Sequence, residues 1–341
     1  MLLSMILRPK SLSRQQAPTL GAAVAMPAIA LPGWLRRAVP DAQSLAVHSL
    51  EDVALIAGAA IGALDASIRR QERWAGAWRQ RLALAAAVVA AKQAGRVEDE
   101  NALRDAVLLT RPGDEVGPAG RIFLGWRRFA TRPSEDLLTR KNIGAVLEEF
   151  GHAPHDEALG DLAGELLRLT RGGMVEMVAG AFIAAERQGF GRAVGAWLAD
   201  ALVAQRCGWP RAVPLLGVDV NAMGSGRSRR PALPIATTGI EVGAEQAKSL
   251  LAAQARAALR AVDLFAELGR RADRLLAVAP KLRAKAADTV VDKLLSHDAI
   301  VASEKIAGMS DRGLRRLFDR LVEFGAVREL SGRPTFRIYG L

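Results

Sequence analysis

The chain has 341 residues, half of them hydrophobic but only 5% aromatic, and its 47 Lys and Arg against 36 Asp and Glu give a formal net charge of +11. Such a length buries ample core and holds two domains or more, the alanine-rich, aromatic-poor composition favours helices, and the basic balance favours an anionic partner, whether nucleic acid or an acidic protein. Cys207 is the single cysteine, which excludes an intrachain disulfide framework and a zinc site built from cysteine pairs, and fits a reducing cytoplasm.

In chain order, Arg8, Lys10 and Arg14 precede the apolar run Leu20 to Leu31, which loosely imitates a secretory signal. Pro27 breaks that run and the basic region before it is long, so a poorly ordered or loosely docked leader over residues 1–40 is the better reading. Other apolar runs, such as Val53 to Leu64 and Leu82 to Ala91, fall short of the ~20 residues that span a bilayer, so no membrane crossing is expected.

Ser49 to Asp52 has the spacing of a capping box, ahead of a helix with Val53, Ile56, Ile61, Leu64 and Ile68 on one side. A second helix follows with Trp74 and Trp78 near its start and Gly95 at its end, making a helical hairpin, and Glu98 to Leu109 forms a third helix. Arg111 to Gly120 has the composition of a turn-rich loop before Ile122 to Ala130. It lacks the lysine and hydroxyl of a phosphate-binding P-loop, so a connector is the plainer reading. The cluster His152, His155, Asp156, Glu157 has metal-ligand residue types without metal-site spacing, and reads instead as a loop entering a helix from Asp156 to Thr170. Cys207, near Ala201, Leu202 and Val203, reads as a small buried hydrophobe.

Val53 to Ala66 is echoed by Val175 to Gln188, and the segment from Gly76 by that from Gly195, so the body reads as two related helical hairpins. Residues 224–243, with Gly224 to Pro231 at their head, form a flexible basic linker. A long helix over 244–280 carries Leu251, Ala255, Ala258, Val262, Phe265, Gly269, Ala272 and Leu276 in 4-3 alternation. Leu259, Leu268 and Leu275 widen that surface beyond a two-residue seam, which favours core packing over a coiled coil, while a homodimer stays open as a second use.

Residues 281–341 read as a winged helix-turn-helix. Val290, Val291, Leu294 and Leu295 mark a first helix stopped at Ser296-His297-Asp298, and a short segment Ala302 to Ala307 follows. Ser310 caps a helix whose Leu314, Leu317, Phe318 and Leu321 face inward, leaving Arg312, Arg315, Arg316 and Arg320 in solvent. Beyond Gly325 the pattern alternates, giving a two-stranded wing with Val327 and Leu330 on one strand and Phe336, Ile338 and Tyr339 on the other, Arg333 at its tip and Arg337 beside it. Arginines on helix and wing together suit the phosphates of double-stranded DNA.

GAWRQRLAL, the stretch from Glu98 to Ala130, RADRLLAVAPKLRAK and the C-terminal segment from Met309 to Leu341 resemble a bacterial family known only as domain of unknown function 1403. The resemblance covers nearly the whole chain and implies no activity or catalytic residue. The C-terminal part is also similar to winged helix-turn-helix tails on other bacterial families, including some of the Fic adenylyl-transferase type; the HPFxxGN loop of that enzyme is missing here, so its activity is not implied. The expected protein is thus mainly α, with a helical body over 41–223, and acts as a cytoplasmic DNA-binding regulatory or accessory protein through Arg312, Arg315, Arg316, Arg320, Arg333 and Arg337. No catalytic residue, cofactor or metal is assigned and no effector is identified. The rival readings are a helical ligand- or protein-binding module and an enzyme centred near Asp114, Glu115 or Arg121.

Overall fold

A computed structural model describes residues 31–341 apart from 42, 112, 220–238, 283, 285, 334 and the side chains of 239–242. The chain is mainly helical, with a small three-stranded antiparallel sheet near the C-terminus. Its described helices are α1 (Gly33–Ala38), α2 (Leu50–Arg69), α3 (Ala75–Gln93), α4 (Glu100–Leu108), α5 (Gly117–Thr131), α6 (Ser134–Leu137), α7 (Arg140–Glu149), α8 (Asp156–Leu169), α9 (Met174–Arg187), α10 (Gly191–Arg206), α11 (Gly239–Val278), α12 (Ala287–Ser296) and α13 (Asp311–Glu323). None is long and apolar enough to cross a membrane, among the described residues. The leader to residue 30 and residues 224–238 of the expected linker lie outside the described residues, and the last five positions of that linker, 239–243, belong to α11. Residues 33–38 of the expected leader are docked: Leu35 is buried, and Arg36 pairs with Asp263 of α11.

Local signals explain several helix starts. The Ser49 hydroxyl accepts the Asp52 N–H, and Asp99 accepts that of Ala102. Gly95 ends α3 at φ 75°, in the left-handed conformation that closes a helix without a Cβ penalty. α5 begins at Gly117, inside the expected loop, because Pro118 is already set to the helical φ in the first turn, where its missing N–H is not needed.

Helix α11, about 60 Å long at the standard rise, is the axis of the body. α2 lies along it, burying Val53, Ala57, Ala60 and Leu64, while α11 buries Leu251, Ala255, Ala258 and Val262. Alanines on both stripes let the two backbones approach. Leu259, Leu268 and Leu275 are buried as well, so the 4-3 stripe is core. The N-terminal end of α3 docks on the same helix: Trp78 packs edge-on to Phe265 and donates its indole N–H to the Ala261 carbonyl at 2.9 Å.

This arrangement corrects the first expected hairpin. α2 packs mainly on α11 and α3 mainly on α5, whereas α9 and α10 pack on each other. The sequence echo therefore corresponds to two different packings. In α9–α10, a Cβ on Gly195 would stand 3.0 Å from the Phe182 Cα, a closeness that only glycine permits without a shift of the helices.

A second aromatic layer joins α5 to α10. Phe129 sits edge-on between Trp126 and Trp197, and the Trp197 indole donates to the Gly125 carbonyl. Behind it Asp200, fully buried, accepts N–H groups from Leu215, Leu216 and Gly217 and so closes the turn after α10. Burial pushes its carboxyl up to about 7 against the pull of those three donors.

At the C-terminal end, β1 (Ile300–Val301), β2 (Arg328–Glu329) and β3 (Ile338–Gly340) form the sheet in the order β1-β3-β2. The expected two strands are joined by a third, and Phe336 is excluded from β3, being exposed at φ 56°. The segment Ala302 to Ala307 is not helical: Ala302 donates to the Arg337 carbonyl, continuing the sheet edge, and Gly308 turns the chain at φ 79°. Ile306 is nonetheless buried.

This end is fastened to the body by buried charge. Asp298 accepts from Arg81 of α3 and, at 2.7 Å, from Arg104 of α4, with Asp298 and Arg104 both buried. Burial alone would raise the Asp298 pKa, but the two guanidinium groups outweigh it and hold the carboxyl below its ordinary range. Arg81 and Arg271 also donate to the Leu341 carbonyl.

Candidate nucleic-acid interface

α13 is opened by Ser310, whose hydroxyl accepts the Gly313 N–H at 3.1 Å. Its apolar stripe, Leu314, Leu317, Phe318 and Leu321, is buried, and Phe318 stacks on Tyr339 of β3 with ring centroids 4.2 Å apart and planes 6° from parallel. That contact fixes the helix on the sheet and determines which side faces water. Arg312, Arg315, Arg316 and Arg320 are exposed and fall within an arc of about 140° at 100° per residue. Arg312, Arg315 and Arg316 have no carboxylate partner among the described residues, and Arg320 lies over the Phe324 ring at 5.4 Å. Asp319 and Glu323 share the face.

The two arginines of the hairpin are placed differently. Arg337 is exposed but sits 3.7 Å from Glu329 and 3.9 Å from Asp319. Arg333 reaches back to the body and pairs with Asp105 of α4 at 2.5 Å. Between α13 and the hairpin lies a cleft of about 440 Å³ lined by Ser303, Arg315, Asp319, Phe336, Arg337 and Tyr339. Helix and hairpin thus bring together Arg315 and Arg337, with Arg312, Arg316 and Arg320 beside them, and leave Arg333 outside the group.

A model of the family described as "Protein of unknown function (DUF1403)" matches residues 22–341. The chain belongs to that family. No curated protein and no solved structure matches. The DUF1403 description names no activity, so any chemistry has to come from this chain's own side chains.

Other candidate residues of this DUF1403 chain are dispersed. Asp114, Glu115 and Arg121 are exposed and make no ion pair among the described residues. His155 precedes α8 as its N-cap and Asp156 pairs with Arg140, while His152 packs edge-on against Phe190, with a pKa that burial lowers. No group of three or more metal-ligating side chains occurs among the described residues. Cys207 caps α10, half-buried, and burial raises its thiol pKa, which disfavours the thiolate.

Three buried carboxylates, Asp200, Asp219 and Asp298, escaped sequence reading. Asp298 looked like part of a helix stop, and nothing local marks partners more than 190 positions away. Asp200 had a signal: it is the one acid in the apolar run Ala196 to Ala204.

Proposed function

We propose that the C-terminal segment binds double-stranded DNA, with α13 as the contact helix. The observation that carries this reading is the exposed face of α13, where Arg312, Arg315 and Arg316 stand in no ion pair among the described residues while the opposite face is locked to the sheet. The order α12, β1, α13, β2, β3, with the sheet arranged β1-β3-β2, supports a winged helix-turn-helix in which residues 302–309 run as a turn in place of a middle helix. In that arrangement α13 enters the major groove, and Arg337 follows the adjacent backbone from the hairpin. Arg333 stays on Asp105 and contributes to docking of the hairpin instead of to DNA. The DNA reading is that of a regulatory or accessory protein, with the helical body carrying the reading head.

The test uses the full chain, because α12 and the sheet share a core and the Asp298 ion pairs with the body. Titration of a fluorescent duplex at several salt concentrations gives affinity and salt slope for the wild type and for Arg315→Gln/Arg316→Gln. The variant is expected to bind about tenfold or more weakly and to lose about two units of salt slope. Equal affinity would sink the DNA reading. A second reading, a protein contact through the same face, is favoured by exposed Phe324 and Phe336 and by the interspersed acids Asp319 and Glu323. It predicts that the wild type shows no salt-dependent duplex binding.

A further inference from the structure

A second group of arginines lies at the C-terminal end of α12. A cleft of about 330 Å³ opens where the turn between α2 and α3 meets the Pro210–Arg211 segment and the last residue of α12, Ser296. Gln71, Arg73, Arg79, Arg211 and Ser296 line it, together with Glu72. Arg73 is paired with Asp292 at 2.8 Å and Glu72 with Arg70 at 3.4 Å, so those charges are matched.

Arg79 and Arg211 are not matched: neither has a carboxylate within ion-pair distance among the described residues. Both are anchored at one edge, Arg79 donating its Nε–H to the Ala130 carbonyl at 3.1 Å and Arg211 donating through Nη1 to the Thr131 carbonyl. Those carbonyls belong to the last turn of α5, whose partial negative charge accounts for part of the attraction. It does not use the other guanidinium N–H groups, four on Arg79 and several on Arg211, nor does it cancel two full charges. Burial, and then the neighbouring Arg211, depress the Arg79 pKa to about 10, the sign of a cation held beside a like charge without a counterion. Two neighbouring forks with unused donors are the geometry that grips a tetrahedral oxyanion bidentately.

We propose that this cleft is a binding site for a phosphate-type dianion, free or as the phosphate of a small monoester, held by Arg79 and Arg211. A dianion fits better than a carboxylate because it neutralises both guanidinium groups. The site sits on the seam between body and C-terminal segment: Gln80, next to Arg79, donates to the Ser296 carbonyl, and a Cβ on Gly76 would approach that same oxygen to 2.6 Å. An anion held by Arg79 and Arg211 therefore ties α3 to the segment after α10, beside the end of α12. This proposal does not depend on DNA binding by α13.

Inorganic phosphate is the probe, exchanged for chloride at constant ionic strength. Saturating phosphate is expected to raise the Tm of the full chain by at least about 3 °C and to broaden the phosphorus-31 resonance, and Arg211→Gln is expected to lose both effects. Absence of a wild-type shift would overturn the site. So would an equal shift in Arg211→Gln, which marks the general stabilisation that phosphate gives through surface exclusion. If Arg211→Gln does not fold, Arg79→Lys is compared in its place: loss of the shift supports the site and retention overturns it. Arg315→Gln/Arg316→Gln has to keep the phosphate shift, since its loss would move the effect to α13 and overturn the proposal. An Arg211-dependent shift given by a DNA duplex but not by free phosphate would likewise reject a small-anion site.

Discussion

Arg81 and Arg104 converge below the surface on Asp298, whereas Arg312, Arg315 and Arg316 stand in water on α13, in no ion pair among the described residues. The residue type is the same and the physical consequences are opposite. At Asp298 the two guanidinium groups replace the water that burial removed, so each partner depends on the others for its solvation. On α13 water itself solvates the charges, and removing one leaves nothing stranded. Arginine content therefore says little by itself about which side chains of this basic protein are free to take an anion; pairing separates them.

The sharpest way to break the comparison is Asp298→Ala. It strands two guanidinium groups in the seam between body and C-terminal segment, with an expected loss of about 3–5 kcal/mol in urea unfolding. A loss under about 1 kcal/mol would mean that water reaches the pair and that the contrast with α13 is false. By comparison, Arg315→Gln/Arg316→Gln is expected to stay within about 0.5 kcal/mol of the wild type in the same measurement.

Asp200 sharpens the contrast from the carboxylate side, because its partners are backbone N–H groups and not guanidinium ions. Its folded-state pKa is raised, to about 7 from 3.8, while that of Asp298 is lowered. A raised carboxyl keeps its proton longer when folded. Its contribution is fully present below about pH 4, declines as the unfolded chain ionises, and levels off above pH 7, a change on the order of 4 kcal/mol. Asp298 acts in the other direction: its contribution is present above the unfolded carboxylate pKa and lost below it. Unfolding measured from pH 4.5 to 8 in wild type and Asp200→Asn isolates the first effect, since His152 titrates alike in both. Parallel profiles would show that Asp200 is ionised throughout, held by its three donors.

What the sequence revealed divides along the same line. Periodicity and caps are local, so Ser49, Ser310, the buried stripe of α13 and the core stripe of α11 were all legible. The exposed arginines followed directly, as the residues left off the stripe. Pairings between distant positions were not legible: α2 lies on α11 instead of α3 although the α2–α3 turn is short, because alanines on both stripes offer a closer fit than proximity in the chain does. β1 was missed because two residues, Ile300 and Val301, are too few for alternation to register. Arg79 and Arg211 could not be joined, being distant in sequence and anchored through carbonyls that leave no mark on residue type.

Arg333 lies between the two classes and gives the smallest expected effect on duplex affinity. Its side chain is 53% exposed while that of Asp105 is 16% exposed, so the pair is half in water. Surface pairs of this kind contribute about 0–1 kcal/mol, and Arg333→Gln is expected to fall in that range in urea unfolding. Its duplex affinity separates two uses of the hairpin tip. If Arg333 belongs to the body, the variant binds DNA within about twofold of the wild type at every salt concentration and keeps the full salt slope. If the tip lets go of Asp105 to meet a phosphate, the slope drops by about one unit, and Asp105→Asn, which frees the guanidinium, tightens binding instead of leaving it unchanged.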